Sequence, residues 1–70
     1  MNRVSVKSSN IASIGYDPVS LILEVEFLDL SIYHYFGVPI QHYQGLMASD
    51  SHGKYLNANI KNSFRYQKAN

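Results

Sequence analysis

The chain has no cysteine and no tryptophan, only two prolines and four glycines, and a charged fraction of just 16%. Without cysteine there is neither a disulfide framework nor a thiolate zinc site. The three histidines, His34, His42 and His52, fall on separate segments without ligand-like spacing, so no metal or other cofactor is expected. No apolar run approaches the ~20 residues of a membrane span, and Met1-Asn2-Arg3-Val4-Ser5 is followed by no hydrophobic leader region, so the reading is cytoplasmic, with no membrane. The glycines are isolated, which excludes a phosphate-cradling loop, and no serine stands in a Gly-x-Ser-x-Gly setting. An enzyme is therefore not expected.

What is present is apolar and aromatic. Hydrophobic residues make up 46% of the 70 and aromatic ones 13%, among them six tyrosines. That rules out disorder and points to one domain over residues 1–70. So short a chain buries only ~60% of its unfolded surface, so its core is thin, and a homodimer is weighed beside a monomer as a source of further burial. Tyrosine suits such a core, having an apolar body and a polar tip. The net charge of +1 is unevenly spread. Residues 1–35 set Arg3 and Lys7 against Asp17, Glu24, Glu26 and Asp29, whereas residues 36–70 set Lys54, Lys61, Arg65 and Lys68 against Asp50 alone.

Read in order, Val4 and Val6 alternate in a polar stretch, as a short edge strand or a loose arm. Ile11 to Tyr16 reads as a strand with Ala12, Ile14 and Tyr16 on one face, and Gly15 marks a bulge or a close backbone approach. Asp17-Pro18 opens a turn. Leu21 to Phe27 alternates most clearly, with Leu21, Leu23, Val25 and Phe27 inward and Glu24 and Glu26 on a solvated outer face. Leu28-Asp29-Leu30 must then turn without a glycine. Ser31 to Phe36 follows as a strand whose Tyr33 and Tyr35 share one face and Ile32, His34 and Phe36 the other. Both faces being apolar in body, this strand should lie inside the sheet. Pro39 at the first helical position opens a helix with Ile40, Tyr43, Leu46 and Met47 as its inner stripe, and Gly45 implies close packing on the sheet. A short second helix should carry Tyr55, Leu56 and Ile60, before an extended tail, Ser63 to Lys68. The expected fold is α+β: a small antiparallel β-meander of three strands, one or two helices packed on one face, and a short C-terminal strand. Leu21, Leu23, Val25, Phe27, Tyr43, Leu46 and Met47 are the expected core.

Two binding readings compete. Single-stranded nucleic acid is held by aromatic rings that stack bases beside cations that neutralise phosphates. Tyr33, His34, Tyr35 and Tyr66 would supply the first, and Lys54, Lys61, Arg65 and Lys68 the second. The small net charge counts against this, and Tyr33 and Tyr35 packed under the first helix is the favoured structural alternative. The other reading is a protein-interaction module with tyrosine, phenylalanine and methionine anchors, whose Val4–Val6 or Phe64–Lys68 strand adds to a partner's sheet.

Several segments stand in a familiar order: Ser8-Ser9-Asn10-Ile11, Ile14-Gly15-Tyr16-Asp17, Leu23-Glu24-Val25-Glu26-Phe27, Tyr33-His34-Tyr35 with Val38-Pro39, then Ser51-His52-Gly53-Lys54-Tyr55-Leu56-Asn57 and Ile60. In this the chain resembles the KTSC domain, the short module at the C-terminus of some lysyl-tRNA synthetases that also occurs as a free-standing bacterial protein. The family's central Tyr-x-Tyr falls on Tyr33 and Tyr35. The resemblance implies a non-enzymatic binding module, with RNA the leading ligand by analogy with the synthetase and a protein partner the alternative. The chain departs from the family pattern at Leu28-Asp29-Leu30, where an Asn-Gly-like turn is usual, and at Phe64-Arg65-Tyr66, where an aromatic-Pro-aromatic tail is usual.

Overall fold

Alternation dominates the first half of the chain, and alternating segments joined by short turns pair with their neighbours. The computed structural model describes all 70 residues. Its sheet has five antiparallel strands in the order β1 (Arg3–Ser5), β2 (Ile11–Asp17), β3 (Ile22–Phe27), β4 (Ile32–Tyr35) and β5 (Tyr66–Lys68). Between β4 and β5 the chain leaves the sheet to form α1 (Ile40–Ala48), α2 (His52–Tyr55) and a π-helical turn (Leu56–Ile60) before returning beside β4. The Val4–Val6 stretch is thus an edge strand in part, with Arg3, Val4 and Ser5 in the ladder and Val6 packed against the core. The meander has four strands in succession, one more than the alternation indicated.

Directly opposed residues share a face, so the register sorts the sheet into rows. Val4, Ile14, Val25, Tyr33 and Lys68 form one row on the inner face, and Tyr16, Leu23, Tyr35 and Tyr66 another. The outer face carries Arg3, Gly15, Glu24, His34 and Gln67 in one row, and Ser5, Ser13, Glu26 and Ile32 in the next. The core is the inner face plus the excursion: Ile11, Ile14, Leu23, Val25 and Tyr35 meet Val38, Leu46, Leu56 and Ile60.

Ala12 does not share a face with Ile14. The register shifts between Ile11 and Ser13, so Ala12 is the extra residue of a β-bulge and Ile11 takes the inward place. Gly15 marks the close approach instead. A Cβ there would lie 2.8 Å from the Asn2 carbonyl oxygen and 3.0 Å from Arg3 Cγ.

Leu21 is exposed rather than buried, because its φ of 59° takes it out of the strand at the end of the Asp17–Leu21 turn. Leu30 has φ 74°, giving a three-residue hairpin loop in which leucine holds the left-handed place that glycine usually takes. The left-handed conformation costs about 1 kcal/mol for an L-residue. Local bonds offset it. Asp29 Oδ1 accepts from the Ser31 N–H at 3.0 Å, and the Asn70 amide group donates to the Leu30 carbonyl at 2.8 Å while accepting from the Ile32 N–H at 2.9 Å.

Pro39 is the N-cap of α1, with extended ψ of 153°, and not its first helical residue. Of the expected stripe, Leu46 is buried, Tyr43 and Met47 are half-buried and Ile40 is exposed. Phe27 is half-buried as well. Tyr43 stacks on Tyr16 with ring centres 5.0 Å apart, and the Tyr16 hydroxyl donates to the Val38 carbonyl, which ties α1 to β2. Gly45 packs beneath Tyr55 of α2 and not on the sheet. Beyond Tyr55 the Lys61 N–H bonds to the Leu56 carbonyl five residues back, and this widened turn buries both Leu56 and Ile60. No helix is long and apolar enough to cross a membrane.

Candidate functional site

The return of β5 beside β4 assembles a groove on the inner face. Tyr66 lies opposite Tyr35 and beside Tyr33, with ring centres 5.9 and 6.0 Å away, and Phe27 meets Tyr33 edge-on at 5.8 Å. These rings, with Asp29, Ser31 and Lys61, line a cavity of about 290 Å³. An adjoining concavity of about 500 Å³, lined by Lys61, Asn62, Ser63, Phe64, Arg65 and Tyr66, continues it past the chain's turn into β5. Lys68 stands in the Tyr33 row, so its stem rises on the same side.

Tyr33 and Tyr35 play different parts. Tyr35 is buried, whereas Tyr33 is half-buried at the border of the core. Both meet Tyr66 of β5, so the pair marks the β4–β5 side of the inner face and is not simply packing beneath α1. The Tyr35 hydroxyl has no hydrogen-bond partner in the protein, yet no side-chain oxygen is sealed off unpaired, so this hydroxyl opens on the groove it lines. Burial, and then the neighbouring Tyr33 and Tyr66, push the Tyr35 pKa up, which keeps that hydroxyl a neutral donor and acceptor.

The other expected site residues lie apart. His34 is on the outer face, its Nε2 2.7 Å from Glu24 Oε1. The Arg65 guanidinium carbon sits 5.7 Å from the centre of the Phe36 ring, at the rim of the second concavity. Lys54 is on α2, whose Gly53 packs against the Asn10 side chain, and it lines neither concavity. Of the eight residues singled out by aromatic and basic character, the fold gathers Tyr33, Tyr35, Lys61 and Tyr66 in one cavity, adds Lys68 in the Tyr33 row and Arg65 at the rim, and sends His34 and Lys54 elsewhere. Phe27, Asp29 and Ser31 also line the cavity; Asp29 and Ser31 flank the left-handed Leu30, on which their direction depends.

The outer face holds a closed charge network in place of a solvated one. Arg3 Nη1 donates to Glu24 Oε2 at 2.6 Å and its Nε to Ser13 Oγ at 2.8 Å, while Ser13 Oγ donates to Glu26 Oε1 at 2.9 Å. The Glu24 side chain is only 12% exposed. Burial by itself would raise its pKa, but hydrogen bonds from His34 and Arg3, with their charges, outweigh it and hold the carboxyl below the usual range. Glycine at position 15 lets Arg3 reach across β2 to Glu24, since its row neighbour has no side chain to block the way. Both Glu24 oxygens are occupied, so the network fastens β1 and β4 to β3 and leaves no free carboxylate pair.

A one-layer antiparallel sheet covered by a helical excursion, with an aromatic groove where the chain returns, defines a small α+β module. The chain belongs to the KTSC domain family, whose model matches residues 7–64. A crystal structure of a KTSC domain protein from Yersinia pestis superposes with a TM-score of 0.95 at 39% identity, covering 99% of this chain and 97% of that one. An uncharacterised protein of Stutzerimonas stutzeri is 43% identical over 67 residues, 94% of each chain, so the module makes up nearly all of that protein. A lysine–tRNA ligase of a Nostoc species is 36% identical over 61 residues, 87% of this chain but 11% of the ligase.

Proposed function

We propose that the protein is a non-enzymatic module that binds single-stranded RNA along the groove between β4, β5 and the π-helical turn. The observation that carries this reading is the placing of Tyr33 and Tyr66 in one cavity with Lys61, continued by a concavity that adds Arg65. A base stacked on a tyrosine ring gains ~1–3 kcal/mol, and adjacent cations take the flanking phosphates. The cavity would take one base, and the second concavity would lead the backbone past Lys61 and Arg65. The occurrence of the same module within a tRNA ligase agrees with an RNA ligand.

Fluorescence anisotropy with a labelled eight-nucleotide RNA at low and at physiological salt tests the reading. Binding should be measurable at low salt and weaken as salt rises. The double variant Lys61→Ala/Arg65→Ala should bind more weakly and lower the log–log salt slope by roughly 1.4, about 0.7 for each phosphate no longer neutralised. Tyr66→Ala should weaken binding with the slope unchanged. Absence of binding by the unaltered protein at low salt would overturn the proposal.

A further inference from the structure

Stacking and phosphate contact leave the one carboxylate of the groove, Asp29, unused. Its Oδ1 is committed to Ser31, whose N–H and Oγ–H donate at 3.0 and 2.6 Å, while Oδ2 takes no hydrogen bond from the protein. The chain's ion pairs all involve Glu24 or Glu26, so no cation is paired directly with Asp29. The Ser31 hydroxyl and N–H bonds, and then the charge of Lys68, lower its pKa, so an anionic acceptor stands at the wall of an aromatic slot at neutral pH.

Such an oxygen repels phosphate and accepts N–H donors. Guanine is the one common base with two adjacent donors, N1–H and N2–H, on the edge that meets a carboxylate, and its O6 would remain for a cation. Lys61 lines the same cavity and can supply that cation. Adenine and cytosine present one exocyclic amino group beside an acceptor, and uracil a single N3–H between two acceptors. A volume of about 290 Å³ is at the small end of ligand pockets, which suits a single base.

We infer that the groove is a guanine pocket, in which the free Oδ2 of Asp29 accepts from both N1–H and N2–H of a base stacked on the exposed side of the Tyr66 ring. The inference rests on the RNA reading for the source of the base, although a free guanine nucleotide carries the same edge. Asp29→Asn is a clean probe, because asparagine keeps an oxygen for Ser31 and turns an N–H₂ donor into the groove.

Four labelled RNA octamers, seven uridines with G, A, C or U at the fourth place, are titrated at low salt against the unaltered protein and D29N, with GMP and AMP as competitors. The G strand should bind at least tenfold tighter than the other three. D29N should lose that preference through weaker binding of the G strand, while its affinity for the all-uridine strand does not fall and can rise because a charge that repels phosphate is gone. GMP should displace the G strand where AMP does not. Equal affinity for the four strands, or a G preference that survives in D29N, overturns the guanine pocket and leaves the RNA reading standing. Binding of GMP without any strand supports the pocket and overturns the RNA reading. No binding of strand or nucleotide overturns both.

Discussion

Glu24 shows how one residue can hold three strands together. Its oxygens take Arg3 from β1 and His34 from β4, each under 3 Å, while its own side chain is largely covered. Charge-assisted bonds of this kind, partly shielded from water, exceed a surface ion pair in worth but carry a desolvation cost. Glu24→Gln should therefore destabilise the protein by about 1–2 kcal/mol at pH 7. The sign of the pH dependence follows from the lowered pKa. A carboxyl held below its unfolded value of ~4.3 contributes fully above that value, and the contribution is lost as the pH falls through the folded pKa. Urea unfolding of both proteins at pH 7 and pH 3 reads this directly. The gap between them should shrink at the lower pH, and an equal gap at both would show that the charge of Glu24 is irrelevant.

At the scale of elements, the telling contact is between α1 and α2. Gly45 lies under the Tyr55 ring, where an added Cβ would fall 2.8 Å from the ring carbon Cζ, and the Tyr55 hydroxyl is held 3.2 Å from His42 Nδ1. Alanine in a helix interior gains ~1 kcal/mol over glycine, but here it must displace an anchored ring. Gly45→Ala should destabilise the protein, whereas in a Tyr55→Leu background the same change should stabilise by about 0.5–1 kcal/mol. Equal effects in both backgrounds, measured by urea denaturation, would refute the coupling. The same scale shows what the sequence could tell. Leu23, Val25 and Leu46 were legible because strict period-two or helical spacing survives into the fold. Ala12 and Leu21 were misread because a one-residue bulge and a left-handed backbone reverse a side chain without altering composition. The Arg3 network was hidden, since it needs β1 in register across Gly15, a fact of topology. Tyr33, Tyr35, Lys61 and Tyr66 could be singled out by aromatic or basic type, but their meeting in one groove depends on where β5 returns.

Across the whole molecule, burial falls from the centre of the sheet to its edges. β2 and β3 supply four of the nine buried apolar core residues, Ile11, Ile14, Leu23 and Val25, whereas every residue of β1 and β5 is exposed. The groove is therefore built against a weakly held strand, with Tyr66 57% exposed. Regions with little apolar burial open locally at a small fraction of the global unfolding cost, which a domain of this size sets at only ~3–5 kcal/mol. Native-state hydrogen exchange should rank the strands accordingly. The bonded amides of β2 and β3 should exchange slowest and speed up with urea as global unfolding does, because their opening exposes the whole core. The amides of β5 should exchange faster and respond little to urea, since releasing three exposed residues uncovers little surface. Equal protection and equal urea dependence in β3 and β5 would mean that the sheet opens only as one unit, and that the groove is as rigid as the core behind it.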